Sequence, residues 1–130
     1  MARVGWKTEP DEHDYPAAAS YLSLLAVPDE VARIVNALRA ATIGMWKAKD
    51  ILRASGLELL DRSNPHVASD LEKVRKGHPL SPVLLVRGDL ANAHRLQIAD
   101  GYHRVCASYH LDENTDIPCR IAAVEPAQPR

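Results

Sequence analysis

The sequence predicts an α/β fold: a small mixed sheet flanked by helices, with a helical pair at the N-terminus. Three observations carry this. Apolar residues recur at helical spacing over 31–38 and over 67–74, short apolar runs at 82–86 and 117–122 are bounded by turn residues, and Asp100-Gly101 falls where a strand must give way to a helix. A chain of 130 residues suits one hydrophobic core rather than two.

Taken in order, the first dozen residues read as a polar lead-in rich in Lys, Glu, Asp and Pro. A first helix is predicted from Pro16 to about Ala26, with Tyr21, Leu22, Leu24 and Leu25 as its apolar cluster, before Pro28 interrupts the run. Pro28 suits a first helical turn, and Val31, Ile34, Val35 and Leu38 then fall at i, i+3, i+4 and i+7, which predicts a second helix ending near Ala41. Thr42 to Leu52 reads two ways, as a short strand around Ile43, Met45 and Trp46 or as the beginning of a helical turn before Gly56. Asn64-Pro65 marks a helix start, because Asn caps orphan amides and Pro tolerates the first helical position; Val67, Leu71 and Val74 give the buried stripe and Gly77 the stop. Strands are predicted at Pro82 to Val86 and Arg95 to Ala99, joined as a hairpin or meander around Asn92. Tyr102 to Leu111 reads as a helix with Val105, Cys106 and Tyr109 inward, and Ile117 to Ala122 as a last strand before a Pro-rich tail. The organisation expected is an N-terminal helical extension over 1–44, an α/β domain over 45–122 and a flexible tail over 123–130.

Composition narrows the function classes. Hydrophobic residues make up 46% and charged residues 25%, as in globular proteins, and 16 Lys+Arg against 17 Asp+Glu leave a net charge of −1. Such a balance gives no general attraction for nucleic acid or an anionic membrane. No apolar run approaches the roughly 20 residues of a spanning helix and the first residues lack a secretory apolar stretch, so no membrane association and a cytoplasmic location are expected. Cys106 and Cys119 form no CxxC pair and read as reduced packing residues. The six histidines show no HxH or HExxH spacing, so no metal site is predicted, and Trp6 and Trp46 read as core or interface aromatics.

The most pointed segment is Asp100-Gly101-Tyr102-His103-Arg104. A strand that ends in Asp-Gly and feeds a helix presents unpaired amides at the positive end of the helix dipole, an arrangement that favours an anion. Gly101 allows close backbone approach, and His103 and Arg104 add an imidazole and a fixed cationic fork suited to phosphate oxygens. On this pattern alone, a turn whose His and Arg are simply solvated is an equal reading.

The block Asp100 to Ala107, followed by Asp116-Ile117-Pro118-Cys119-Arg120, resembles the second signature of the ParB/sulfiredoxin superfamily, in which such a turn opens a helix. Asn64-Pro65, the helix to Gly77 and Leu80 to Val86 look like its first signature and following strand, so the resemblance spans roughly Met45 to Ala122. It implies a ParB/sulfiredoxin-like fold and a bound nucleotide, ATP, ADP or CTP, or another phosphorylated small molecule, with Mg2+ bridging phosphates. Matching by position implies His66, Ser69 and Lys73 as phosphate-facing residues beside Asp100, Gly101, Tyr102, His103 and Arg104. Their i, i+3, i+7 spacing supports a shared helix face, which could equally be a solvated polar one.

This chain departs from the family in two places. Sulfiredoxin carries its catalytic cysteine just before the His-Arg pair, where this chain has Tyr102, so sulfinic reduction is not expected. No helix-turn-helix follows the last strand, so DNA binding of the partition type is not expected either. The turn is closest in form to that of the free serine kinases, which implies phosphotransfer with Glu58 or Asp61 as general base and with His103 and Arg104 holding the transferred group. The alternatives are a noncatalytic nucleotide-sensing or interaction module, with homodimerisation through the N-terminal helices, and a ParB-like nuclease, against which the neutral charge and missing acidic metal cluster argue. Arg104 is expected to serve the ligand rather than the core, so that its loss removes binding and spares the fold.

Overall fold

In the computed structural model, which describes residues 3–124, five helices and four strands form three layers. In chain order these are α1 (Asp14–Leu22), α2 (Pro28–Ala40), β1 (Gly44–Lys47), α3 (Ala48–Ser55), α4 (Pro65–Arg75), β2 (Val83–Val86), β3 (Gln97–Asp100), α5 (Tyr102–Leu111) and β4 (Asp116–Ala122). The sheet order is β1-β4-β2-β3; β4 and β2 run parallel, while β1 with β4 and β2 with β3 are antiparallel. The predicted mixed sheet with flanking helices is therefore present. Among the described residues no helix is long and apolar enough to cross a membrane.

Alternation along the strands divides the core in two. Val83 and Leu85 of β2, Ile98 of β3 and Ile117 and Cys119 of β4 join Ile51, Leu52, Val67, Val105 and Cys106 on the side of α3, α4 and α5. Leu84 and Val86, Ala99 and Ala122 face the other way, against Tyr15, Ala18, Leu22, Val31, Ile34 and Leu38 of α1 and α2. All four residues of β2 are buried because helices cover both faces of the sheet. The N-terminal pair thus packs as a layer on the sheet.

Several boundaries differ from the sequence expectation. Helix α1 starts at Asp14 and stops at Leu22, short of Ala26; tight turns from Leu24 N–H to the Tyr21 carbonyl and from Leu25 N–H to the Leu22 carbonyl follow, leaving Leu24 and Leu25 exposed. The apolar cluster expected there reduces to Leu22 because the last two leucines lie beyond the helical register. The ambiguous stretch 42–52 is both things in turn: β1 pairs with β4, and the α3 start is pinned by Ala48 and Lys49 amides donating to the carbonyls of Thr115 and Glu113. Strand β3 begins at Gln97 rather than Arg95 and includes Asp100. The polar lead-in is tied down, since Lys7 N–H donates to the Leu80 carbonyl and Leu80 N–H to that of Gly5, both at 2.8 Å. Of the expected tail, residues 125–130 lie outside the described residues.

Candidate functional site

The site is assembled where β3 runs out. Gly101 has φ 112°, and a Cβ there would stand 2.8 Å from both Arg104 Nη2 and Val83 Cγ2, so only glycine turns the chain this tightly. Gly101 is the N-cap of α5 and offers no side-chain cap; among the described residues no group accepts from the amides of Tyr102, His103 or Arg104. The α5 N-terminus is accordingly an open, electropositive end. The neighbouring α4 is different: the Asn64 carboxamide oxygen accepts from the amides of His66 and Val67 at 3.0 and 3.2 Å.

Helices α4 and α5 lie side by side, and a shallow polar depression of about 200 Å3 opens between them. His66, Ser69 and Lys73 line it from α4, and Asp100, Gly101, His103 and Arg104 line it from the turn. The two sequence blocks, 27 to 38 residues apart, therefore meet at one place. The His66 and His103 rings stand 4.7 Å apart, tilted by 43°. Burial, aided by the neighbouring His66, holds the His103 imidazole below its ordinary pKa, with Asp70 opposing.

Three of the residues singled out from the sequence lie elsewhere. The Tyr102 ring stacks on His103 and its hydroxyl donates to the Glu58 carbonyl at 2.5 Å, so its side chain is drawn away from the depression and only its amide belongs to the helix end. Glu58 meets the turn through that carbonyl and does not line the depression. The Asp61 carboxylate accepts from Ser63 N–H at 3.1 Å and Ser63 Oγ at 2.6 Å, which lowers its pKa, and it too lies off the lining.

Sequence reasoning missed two carboxylates. Asp70, one position beyond Ser69, lines the depression and is 8% exposed; burial raises its pKa, against the pull of Lys73, whose Nζ is 3.8 Å away. Its place on the edge of the apolar stripe, three residues after Val67, was the available signal. Asp14 had none, because nothing in a helix start ninety residues earlier points to this turn.

Asp14 changes the reading of Arg104. The Arg104 side chain is 15% exposed; its Nη2 is 2.9 Å from Asp100 Oδ2 and its Nη1 is 3.4 Å from Asp14 Oδ2. Asp14 Oδ2 also accepts from Ser81 Oγ at 2.5 Å, and Ser81 Oγ accepts from the Asp11 amide at 2.9 Å. Burial and the nearby Asp14 raise the Asp100 pKa, while Arg104 opposes them. The expectation that Arg104 is a free fork with no part in the core is corrected: the guanidinium reaches the depression already neutralised, because α1 delivers a second carboxylate to it. Its Nε is buried with no partner among the described residues.

A cluster the sequence reading passed over sits nearby, where Asp11, His13 and Asp14 bring possible ligand atoms within 4.8 Å of one another. Both carboxylates there already face cations, Lys7 at 2.8 Å and Arg104 at 3.4 Å. Cys106 and Cys119 are buried free thiols; burial raises both, Cys119 to about 12, which makes neither a nucleophile at neutral pH.

No protein-family model matches the chain, and neither curated proteins nor solved structures give a match.

Proposed function

We propose that the depression between α4 and the α5 N-terminus binds the phosphate groups of a nucleotide or another phosphorylated small molecule, in the manner the ParB/sulfiredoxin resemblance implies. The observation that supports this is the convergence of an uncapped helix end with Lys73, Ser69 and the His66-His103 pair on one polar surface. The open amides and Lys73 attract the anion, and Ser69 and the imidazoles supply hydrogen bonds to its oxygens. The volume of about 200 Å3 is below the usual 300–1,000 Å3 of a small-molecule pocket, so phosphates fit inside and the rest of the ligand lies across the surface.

Asp70 is a carboxylate of the kind Mg2+ takes alongside phosphate oxygens, whereas Asp100 is bonded to Arg104. In this reading Arg104 orders the turn and fixes the open amides. Phosphotransfer needs a base, and the expected candidates Glu58 and Asp61 do not line the site, which favours binding without turnover; Asp70 is the carboxylate placed to act if transfer occurs.

Titration calorimetry with ATP, ADP, CTP and inorganic phosphate tests the proposal. Lys73→Ala is expected to weaken phosphate-dependent binding about tenfold, the scale of one hydrogen bond to a charged group, with an unchanged melting temperature because Lys73 is half exposed. If no phosphate compound binds, or if Lys73→Ala and His103→Ala both bind normally, the assignment fails. Phosphorus NMR of the bound nucleotide with Mg2+ separates the two modes: product formation that Asp70→Asn removes identifies a transferase.

A further inference from the structure

At the other end of the β2–β3 hairpin lies a second cavity, of about 490 Å3, that shares no lining residue with the α4–α5 depression. Four strand residues, or about 13 Å of extended chain, separate the ends. The walls are apolar: Trp46 of β1, Ile51 and Ala54 of α3, Leu85 of β2 and Ile121 of β4. It is the part of the α3-side core that α3 is too short to cover, since that helix ends at Ser55 with Gly56 in the left-handed conformation.

Two exposed arginines line the same cavity, Arg87 after β2 and Arg95 before β3, and among the described residues neither has a carboxylate within 4.0 Å. Asp50, the one carboxylate in the lining, is already paired with Arg53 at 3.1 Å. The backbone packs against the Arg95 side chain and closes the loop that joins the two arginines. A Cβ at Gly56 would fall 2.0 Å from Arg95 Nη1, so the Arg95 side chain packs against that glycine where no larger residue would leave it room. A Cβ at Gly88 would fall 2.5 Å from the His94 carbonyl oxygen, and Asp89 and His94 exchange two backbone hydrogen bonds of 2.9 Å, which closes the neck of the loop between the arginines. Leu90, in the same loop and lining the same cavity, is 98% exposed.

We infer that this cavity is a binding site for a small amphipathic anion, an aromatic or aliphatic body bearing one carboxylate or an equivalent oxyanion. The volume is in the range of small-molecule sites, and an apolar floor with a few convergent polar groups is their usual make-up. The body is drawn in by burial against Trp46, Leu85 and Ile121, and the excess positive charge of Arg87 and Arg95 selects an anionic head. Leu90 stands where it covers the ligand's remaining apolar surface.

The test uses anilinonaphthalene sulfonate and its neutral counterpart phenylnaphthylamine, which share an apolar body and differ in the anionic group. The sulfonate is expected to bind the folded protein saturably at one site, with energy transfer from tryptophan and displacement by decanoate. Replacing Arg87→Gln and Arg95→Gln together is expected to weaken the sulfonate at least tenfold and the neutral probe less than twofold. Ala54→Trp, which fills the cavity from its exposed side, is expected to abolish both; amide chemical-shift changes in the wild type at Ala54, Leu85 and Ile121 locate the probe without any variant. The inference is overturned if the sulfonate does not bind saturably, if the shifts fall elsewhere, or if the glutamine variant loses both probes equally.

Discussion

Arg104→Ala is the substitution on which the reading of the turn depends. The side chain is 15% exposed and stands between Asp14, which is 2% exposed, and Asp100, at 3.4 and 2.9 Å. Removing one partner of a buried ion pair leaves an uncompensated charge and costs about 3–5 kcal/mol. For a domain of this size each kcal/mol moves the melting temperature by roughly 3–5 °C, so a fall of about 9–25 °C is expected. The pH dependence gives a second readout. Burial already raises the Asp100 pKa, so the folded state holds that proton to higher pH than the unfolded chain; Asp100 therefore favours folding below its unfolded pKa and weighs against it as pH rises through the folded value. Without the guanidinium the Asp100 pKa rises further, and the deficit of the variant should be smaller near pH 4.5 than near pH 8. Thermal melts of wild type, Arg104→Ala and Arg104→Lys across that range make the comparison, with Lys recovering part of the loss through charge alone. A melting temperature within about 2 °C of wild type, or a deficit independent of pH, would refute the buried-pair argument.

Further expectations concern other elements. Asn64→Ala removes the acceptor for two α4 amides and should cost about 1 kcal/mol in urea denaturation, with Asn64→Asp near neutral. Leu38→Ala, at a position with no solvent exposure under the sheet, should cost about 2–5 kcal/mol by the same measurement; a loss below 1 kcal/mol would show that α2 is not part of the cooperative core. Carboxyl NMR titration should find Glu72 near 2, held down by Arg75 at 2.5 Å, and Asp70 above the ordinary aspartate value because it is buried. The sign for stability follows: Asp70 opposes folding as pH rises through its raised pKa, whereas Glu72 loses its favourable contribution only as pH falls toward 2.

Much of the architecture was legible because it rests on local rules. The Val31, Ile34, Leu38 stripe, the Asn64-Pro65 start and the Gly101 turn each follow from helical periodicity, capping or the steric freedom of glycine, and each appears where expected. Leu24 and Leu25 were misjudged for a local reason as well, since hydrophobicity marks a wish for burial but not where a helix lets go.

The sequence alone determined the fold class, the open α5 N-terminus and the shared face of His66, Ser69 and Lys73, since periodicity and turn chemistry act within a few residues. Tertiary structure alone decided what surrounds them. Asp14 reaches Arg104 only because α1 packs across β3, Asp70 lines the depression only because α4 lies beside α5, and the cavity below Trp46 exists only because α3 ends before the sheet does. Contacts between residues ninety positions apart depend on how whole layers stack, and stacking is set by the summed fit of many side chains, which no short window of sequence contains.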